Sequence, residues 1–412
     1  MIKVADKNQK NVLDTLYERG FIKQSVYEDE LRKLLETEKI TFYVGFDPTA
    51  DSLHIGHYIP IMAMAHMQKA GHTPIALLGG GTGMIGDPSS RNDMRQMMTR
   101  ETIDKNIAAF KVQMARFFSF EGKNAAIMVN NADWLLNLNY VDFLRDFGIH
   151  FSVNKMLSAE CFKTRLEKGL NFLEFNYMLM QAYDFLELFK KYGTRVQMGG
   201  NDQWSNILAG ADLIRRKEGE AAFALTFALL ENSDGTKMGK TQKGALWLDA
   251  NKTTPYEFYQ YFRNVEDIKV EECFKLLTFV DLDEIRELTK HKDERMNAAK
   301  ERLAYEVTKL VHGENAALDA QKQVQAAFSG NTDAMEAVKI DANSGALIVD
   351  ILVLTNLAKS KSEARQLITG GGVKIGESKV TSFDHAVKDY TNENEFVLHK
   401  GKKARIKVEI RG

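Results

Sequence analysis

Four short apolar runs, Ile40–Phe46, Pro74–Leu78, Ala125–Val129 and Arg195–Met198, recur along the first half of the chain with helical patterns between them. Each run has the length of a buried strand, and each gives way to polar or Gly-rich residues. Between the second and third, Ile103, Ile107, Phe110, Met114 and Phe117 step by four, three, four and three, the spacing of one helix face. Strands that alternate with helices need crossover connections, and these build a parallel sheet covered on both sides. The expected fold class is therefore α/β, with a doubly wound parallel sheet. Ligands of such sheets bind beyond the carboxyl ends of the strands. Gly45, Asp47, Gly79–Gly83, Asp87 and Gly199–Gln203 all fall at those ends.

A chain of 412 residues exceeds one ordinary core, so further domains are expected. After about residue 250 the pattern becomes helical, with Tyr256–Phe262 and Arg295–Val311 as the clearest segments. Residues 328–344 are rich in Ser, Gly, Asn, Asp and Ala and read as a linker. A last unit of about 65 residues follows. From Lys359 to Gly412 it holds 12 Lys/Arg against 7 Asp/Glu, whereas the rest of the chain holds 43 against 49. The net charge of −1 thus hides a basic end. Ser360 precedes a helical stretch closed by Gly370-Gly371-Gly372, and short strands follow at Val373-Lys374-Ile375 and Lys379-Val380. Lys361, Arg365, Lys374, Lys402 and Lys403 are candidate RNA-phosphate contacts in this unit.

Two cysteines, Cys161 and Cys273, lie far apart without metal-ligand spacing, which argues against a disulfide scaffold or a bound metal. No apolar run has membrane length, and Met1-Ile2-Lys3-Val4-Ala5-Asp6 does not open a secretory leader. A soluble, cytoplasmic protein without membrane association is expected.

Two distant motifs describe a phosphate site. His54-Ile55-Gly56-His57 places two imidazoles at i and i+3 in the first turn of a helix, where N–H groups also attract anions. Lys237-Met238-Gly239-Lys240-Thr241 supplies two lysines on a Gly-bearing loop that can close over the same phosphates. Donors aimed at charge that grows in the transition state accelerate phosphoryl and nucleotidyl chemistry. On the stretch Asn176–Phe189, Tyr177, Gln181 and Asp184 share one helix face, and phenol, amide and carboxylate together suit an amino-acid pocket. Gly81-Thr82-Gly83-Met84-Ile85-Gly86 fits a dinucleotide fingerprint, but no acidic strand end follows about 20 residues on, so a dehydrogenase is disfavoured.

Taken in order, the stretch Tyr43 to His57, Gly86-Asp87-Pro88-Ser89, Gln181-Ala182-Tyr183-Asp184-Phe185 and Gly199-Gly200-Asn201-Asp202-Gln203-Trp204 resemble the signatures of bacterial tyrosyl-tRNA synthetases, class I enzymes. The resemblance covers essentially the whole chain. It implies that L-tyrosine and ATP, which carries Mg2+, give tyrosyl-adenylate, and that tyrosine then moves to the 3′ end of tRNA(Tyr). It assigns Tyr43 and Asp184 to the phenol hydroxyl, and Asp87, Tyr177 and Gln181 to the ammonium. Gln203 falls near the carboxylate, and Gly45 and Asp47 on ATP. His54, His57 and Thr49 meet the triphosphate, and Asp202 and Gly200 the ribose. Lys237 and Lys240 hold the pyrophosphate, with Arg91 and Arg95 as candidates beside them. It also implies a homodimer and a division into a Rossmann-like catalytic domain (1–230), a mobile lysine loop (231–245), a helical domain facing the anticodon arm (246–327), the linker (328–344) and a small α+β RNA-binding domain (345–412).

The sequence departs from the common lysine motif, which has Ser where this chain has Gly239 and Thr241; altered loop dynamics with retained activity are expected. A tryptophanyl synthetase should lack the Tyr43/Asp184 pair. A non-catalytic RNA-binding protein would have little use for both histidines and both lysines. The aromatic stretch Tyr140 to Phe151 suits either a subunit interface or the core.

Overall fold

Six strands form the first sheet: β1 (Ile22–Ser25), β2 (Thr41–Phe46), β3 (Thr73–Leu78), β4 (Ile127–Asn130), β5 (Thr194–Gly200) and β6 (Phe223–Phe227). The computed structural model describes residues 11–86, 99–159, 162, 166–167, 169–241, 244–329, 337–355, 357–358, 360–401 and 404–411. The strand order is β1-β6-β5-β2-β3-β4, parallel throughout except for β1, which runs antiparallel to β6. This is the doubly wound sheet read from the sequence. Central strands of a parallel sheet are covered on both faces, which is why Phe42, Tyr43 and Val44 are all buried.

Two strands lie outside the four apolar runs. The edge strand β1 is Ile-Lys-Gln-Ser and only partly buried, so it has no apolar signature. The β6 residues Phe223-Ala224-Leu225-Thr226-Phe227 are fully buried, but they sit in a longer Ala/Phe/Leu run that suits a helix as well as a strand. Pairing with β5 decides the matter.

The helix Ile55–Lys69 is apolar around its whole circumference, with Tyr58, Ile61, Met62 and Met64 buried on different sides. Such a helix must be covered all round. The Tyr58 hydroxyl donates to the Leu277 carbonyl in a helical layer formed by Pro255–Arg263, Val270–Leu277, Leu282–Thr289 and Met296–His312. The first of these helices starts with a capping box between Thr254 and Glu257 and with Pro255 at its first position. Arg19 clamps this layer by donating to the carbonyls of Lys275, Thr278 and Val280 at 3.1, 3.0 and 2.6 Å. The helical segment is therefore not a separate body: up to His312 it shares one compact unit with the sheet, and that unit ends at Gly313. A two-stranded hairpin, β7 (Lys240–Thr241) with β8 (Gly244–Ala245), belongs to the same unit.

The second unit starts at Glu314. It contains the helices Glu314–Ser329, Ile348–Leu354 and Lys361–Thr369. Its sheet has the order β11-β10-β12-β13-β9, formed by β9 (Ala337–Ile340), β10 (Val373–Ile375), β11 (Ser378–Lys379), β12 (Glu395–Lys400) and β13 (Ala404–Ile410). Its core is built from Ile348, Ile351, Leu352, Ile368, Val373, Leu398 and Val408. The Ser360 hydroxyl caps its helix by accepting the Glu363 N–H at 3.2 Å. The segment read as a linker is corrected in part: Ala337–Ile340 pairs in parallel with β13 and is a strand of this sheet. Its neighbours in sequence are polar and small, so composition alone hides it. Among the described residues no helix is long and apolar enough to cross a membrane.

Candidate active site

The sheet reverses its winding between β2 and β5: β3 and β4 extend from one side, β6 and β1 from the other. Connections leaving β2 and β5 diverge at that point and open a crevice at their carboxyl ends. A cleft of about 940 Å³ lies there. It is lined by Tyr43, Gly45, Asp47 and Thr49 from β2 and its loop, and by Gly200, Asp202 and Gln203 from the end of β5. Tyr177, Gln181 and Asp184 enter from the helix Phe172–Tyr192, His54 and His57 from the start of the helix Ile55–Lys69, and Lys237 from the lysine segment. Residues spread over almost 200 positions are thus brought to one cavity. Asp87, Arg91, Arg95, Lys402 and Lys403 lie outside the described residues, as does the side chain of Lys240.

At the bottom of the cleft the Tyr43 side chain is fully buried, and its hydroxyl has no hydrogen-bond partner among the described residues. A buried hydroxyl without a partner is costly. Asp184 is also buried, at 2% exposure. One of its oxygens accepts the Trp134 indole N–H at 2.7 Å, the other the Asn131 amide at 2.9 Å. Asn131 is itself fixed, because its Oδ1 accepts the Gly81 N–H at 2.7 Å and its Nδ2 also donates to the Thr82 hydroxyl at 3.0 Å. Burial pushes the Asp184 carboxyl up to about 7, although both hydrogen bonds pull it down. Burial first, then the nearby Asp184, holds the Tyr43 phenol well above its ordinary value.

Asn131 and Trp134 were not identified from the sequence. Both follow the carboxyl end of β4, and that position was the available signal. Gln197 was missed as well. It lies on β5 at 2% exposure, lines the cleft, and leaves its Oε1 without a partner among the described residues. An amide inside the apolar run Arg195–Met198 was its signal.

His54 does not sit in the first helical turn as the spacing suggests. It is the N-cap, with φ −133° and ψ 174°, and the helix begins at Ile55. Nδ1 of His54 accepts the Gly56 N–H at 3.0 Å, and Nδ1 of His57 accepts the His54 N–H at 3.2 Å. With Nδ1 acting as acceptor, each neutral imidazole carries its proton on Nε2. The two rings lie 4.0 Å apart and line the cleft as a pair. The preceding loop is held by two side chains from the helix Arg100–Met114. Asn106 donates to the Pro48 carbonyl at 2.7 Å, and the Gln113 Oε1 accepts the Leu53 N–H at 2.9 Å.

The lysine segment is stitched to this same loop through its main chain. Ile55 N–H donates to the Leu246 carbonyl at 3.0 Å, and Leu248 N–H to the Leu53 carbonyl at 2.9 Å. His54 and Trp247 form the bridge between these two bonds. The Leu246 N–H donates in turn to the Gly239 carbonyl at 2.8 Å, so the two motifs read separately from the sequence are joined through this short ladder.

In the second unit, Lys361, Arg365 and Lys374 are exposed. Lys361 pairs with Asp350 at 2.8 Å, and the Arg365 guanidinium lies 5.7 Å from the Phe383 ring centre. Lys400 and Lys407 pair with Glu363 and Glu395 at 3.0 and 2.6 Å.

The family described as tRNA synthetases class I (W and Y) matches residues 35–329, and the tyrosine–tRNA ligase SYY-like C-terminal domain matches residues 327–407. A tyrosine–tRNA ligase of Acetivibrio thermocellus is 58% identical over 406 residues, covering 97% of this chain and 99% of its own. Another, from Caldanaerobacter subterraneus subsp. tengcongensis, is 59% identical over 398 residues, covering 95% and 98%. Among solved structures, a C-terminally truncated Aspergillus nidulans mitochondrial tyrosyl-tRNA synthetase superimposes with a TM-score of 0.71 at 29% identity, covering 79% of this chain and 96% of its own.

Proposed function

The chain belongs to the class I tRNA synthetases of the tryptophan and tyrosine group, with tyrosine–tRNA ligase activity; on that premise we propose how its residues divide the work. The phenol of L-tyrosine reaches the bottom of the cleft, where its hydroxyl bonds to the Tyr43 hydroxyl and to Asp184. One observation carries this reading: a fully buried hydroxyl without a partner among the described residues stands beside a buried carboxylate that Asn131 and Trp134 hold in place. A ligand hydroxyl supplies the partner that Tyr43 lacks and is a further donor to Asp184.

Tyr177, Gln181 and Asp87 hold the substrate ammonium, and Gln203 orients its carboxylate. ATP, entering with Mg2+, lies toward Gly45, Asp47, Gly200 and Asp202, its triphosphate facing Thr49, His54 and His57. The tyrosine carboxylate attacks the α-phosphorus, a P–O bond forms, and the bond to the leaving pyrophosphate breaks. Nε2–H of each histidine and the ammonium groups of Lys237 and Lys240 face the oxygens on which charge grows, with Arg91 and Arg95 beside them. No side chain acts as nucleophile, so the acceleration comes from positioning and preorganised donors. A terminal ribose hydroxyl of tRNA(Tyr) then attacks the adenylate carbonyl and releases AMP. Lys361, Arg365, Lys374, Lys402 and Lys403 supply phosphate contacts for that RNA.

The chain works in the cytoplasm as a homodimer. The exposure of Val141 and Ile149, at 68% and 75%, supports a self-association surface in the stretch read as interface or core, while Phe143 there is buried. The deciding experiment is ATP–pyrophosphate exchange with each amino acid separately. Exchange with tyrosine alone supports the assignment of the pocket. Exchange driven equally by tryptophan or phenylalanine overturns it.

A further inference from the structure

The N–H of Gly239 donates to the Tyr261 hydroxyl at 2.7 Å, from the middle of the lysine segment to the helix Pro255–Arg263. We propose that Tyr261 is a positioning residue for the adenylation step, holding Lys237 in the cleft through Gly239, and that glycine is required at position 239. The proposal rests on the reading of Lys237 as a pyrophosphate ligand.

Three observations carry it. Gly239 has φ +88°, a conformation that L side chains rarely adopt. A Cβ placed there would lie 1.8 Å from Cγ2 of Ile55, the first residue of the helix that follows His54. Both polar groups of Gly239 are engaged: its N–H by Tyr261, its carbonyl by the Leu246 N–H at 2.8 Å. Leu246 in turn accepts from Ile55. One residue earlier, Met238 is buried, its N–H bonded to the Leu230 carbonyl at 2.9 Å.

The glycine is therefore fixed rather than free. It lets the backbone approach the helix start so closely that the two phosphate motifs become one surface. A serine would have to leave the left-handed region and displace Ile55. Glycine in place of that serine thus goes with closer packing against Ile55. A segment ordered before ATP arrives loses less freedom in the transition state. Tyr261 acts from beneath this segment and is not itself among the groups lining the cleft.

The test uses the full chain, with kcat and KM for ATP from pyrophosphate exchange, tyrosine affinity from equilibrium dialysis, and the rate of tryptic cleavage after Lys237 or Lys240. Tyr261→Phe is expected to lower kcat about 3- to 10-fold, as one neutral hydrogen bond allows, with tyrosine affinity unchanged and faster cleavage. Gly239→Ser is expected to lower kcat by at least about 10-fold, and adding Ile55→Ala should recover part of the loss. An unchanged or raised kcat for Tyr261→Phe, or a Gly239→Ser chain as active as the parent, overturns the proposal. Lys237→Ala separates the two levels. If it loses kcat while Tyr261→Phe does not, only the positioning role falls; if it keeps kcat, the pyrophosphate reading falls too.

Discussion

The indole Nε1 of Trp134 donates to Asp184 at 2.7 Å, joining residues 50 positions apart in a fully buried contact. With Asn131 on the other oxygen, it fixes the carboxylate in the orientation that a phenol would meet. We predict that Trp134→Phe lowers tyrosine affinity by about 1–3 kcal/mol, because a buried acceptor loses its donor. The preference for tyrosine over phenylalanine should fall with it. Exchange kinetics with both amino acids check this; an unchanged ratio would sink the idea that Trp134 supports recognition of the hydroxyl.

The Asp184 carboxyl, raised by burial to about 7, makes stability depend on pH. Between its ordinary value of 3.8 and about 7 the folded chain keeps a proton that the unfolded chain has lost. Its contribution to stability is therefore complete below the lower value and is lost as pH rises through the upper one. Asp184→Asn should flatten this part of the profile. Urea unfolding of both chains at pH 5 and pH 8 measures the difference, on the order of a few kcal/mol at most. Equal pH slopes would show that the carboxyl is not held protonated.

The proposed role gives His54 two separable tasks: its Nδ1 caps a helix, and its Nε2–H would donate to phosphate from the cleft wall. Asparagine caps helices well, whereas alanine does not. His54→Ala should lose about 1 kcal/mol of stability. His54→Asn should lose much less, and both should lose roughly 2–4 kcal/mol in kcat, as for other preorganised donors. Tyrosine affinity should stay constant in both. If thermal melts and kcat fall together in every variant, cap and donor are not distinct.

The class I family match ends at residue 329, before the terminal sheet begins at Ala337. A chain ending at Ser329 is expected to fold and to exchange pyrophosphate. It should charge tRNA poorly, with a shallower salt dependence of RNA binding, because phosphate contacts release counterions. A cut at Asp341 would instead strand β9 without its sheet. Pyrophosphate exchange and aminoacylation on one preparation decide the matter; equal loss of both would make the terminal unit part of the catalytic fold.

What the sequence determined was local. Apolar runs such as Pro74–Leu78 set the strands, and the stepping from Ile103 to Phe117 set a helix that buries Ile103, Phe110 and Met114. Ser360 before Glu363 set a cap. These follow from contacts a few residues apart, which any stretch of chain carries with it. Only tertiary structure decided that Ala337–Ile340 is a strand, since its reason lies in β13, some 70 positions on. The same holds for Asn131 and Trp134 beneath Asp184, and for Gly239 against Ile55 and Tyr261. Each of these answers a need of a distant group: an acceptor to be satisfied, a backbone to be approached. Such needs come into being only once folding has excluded water from both partners.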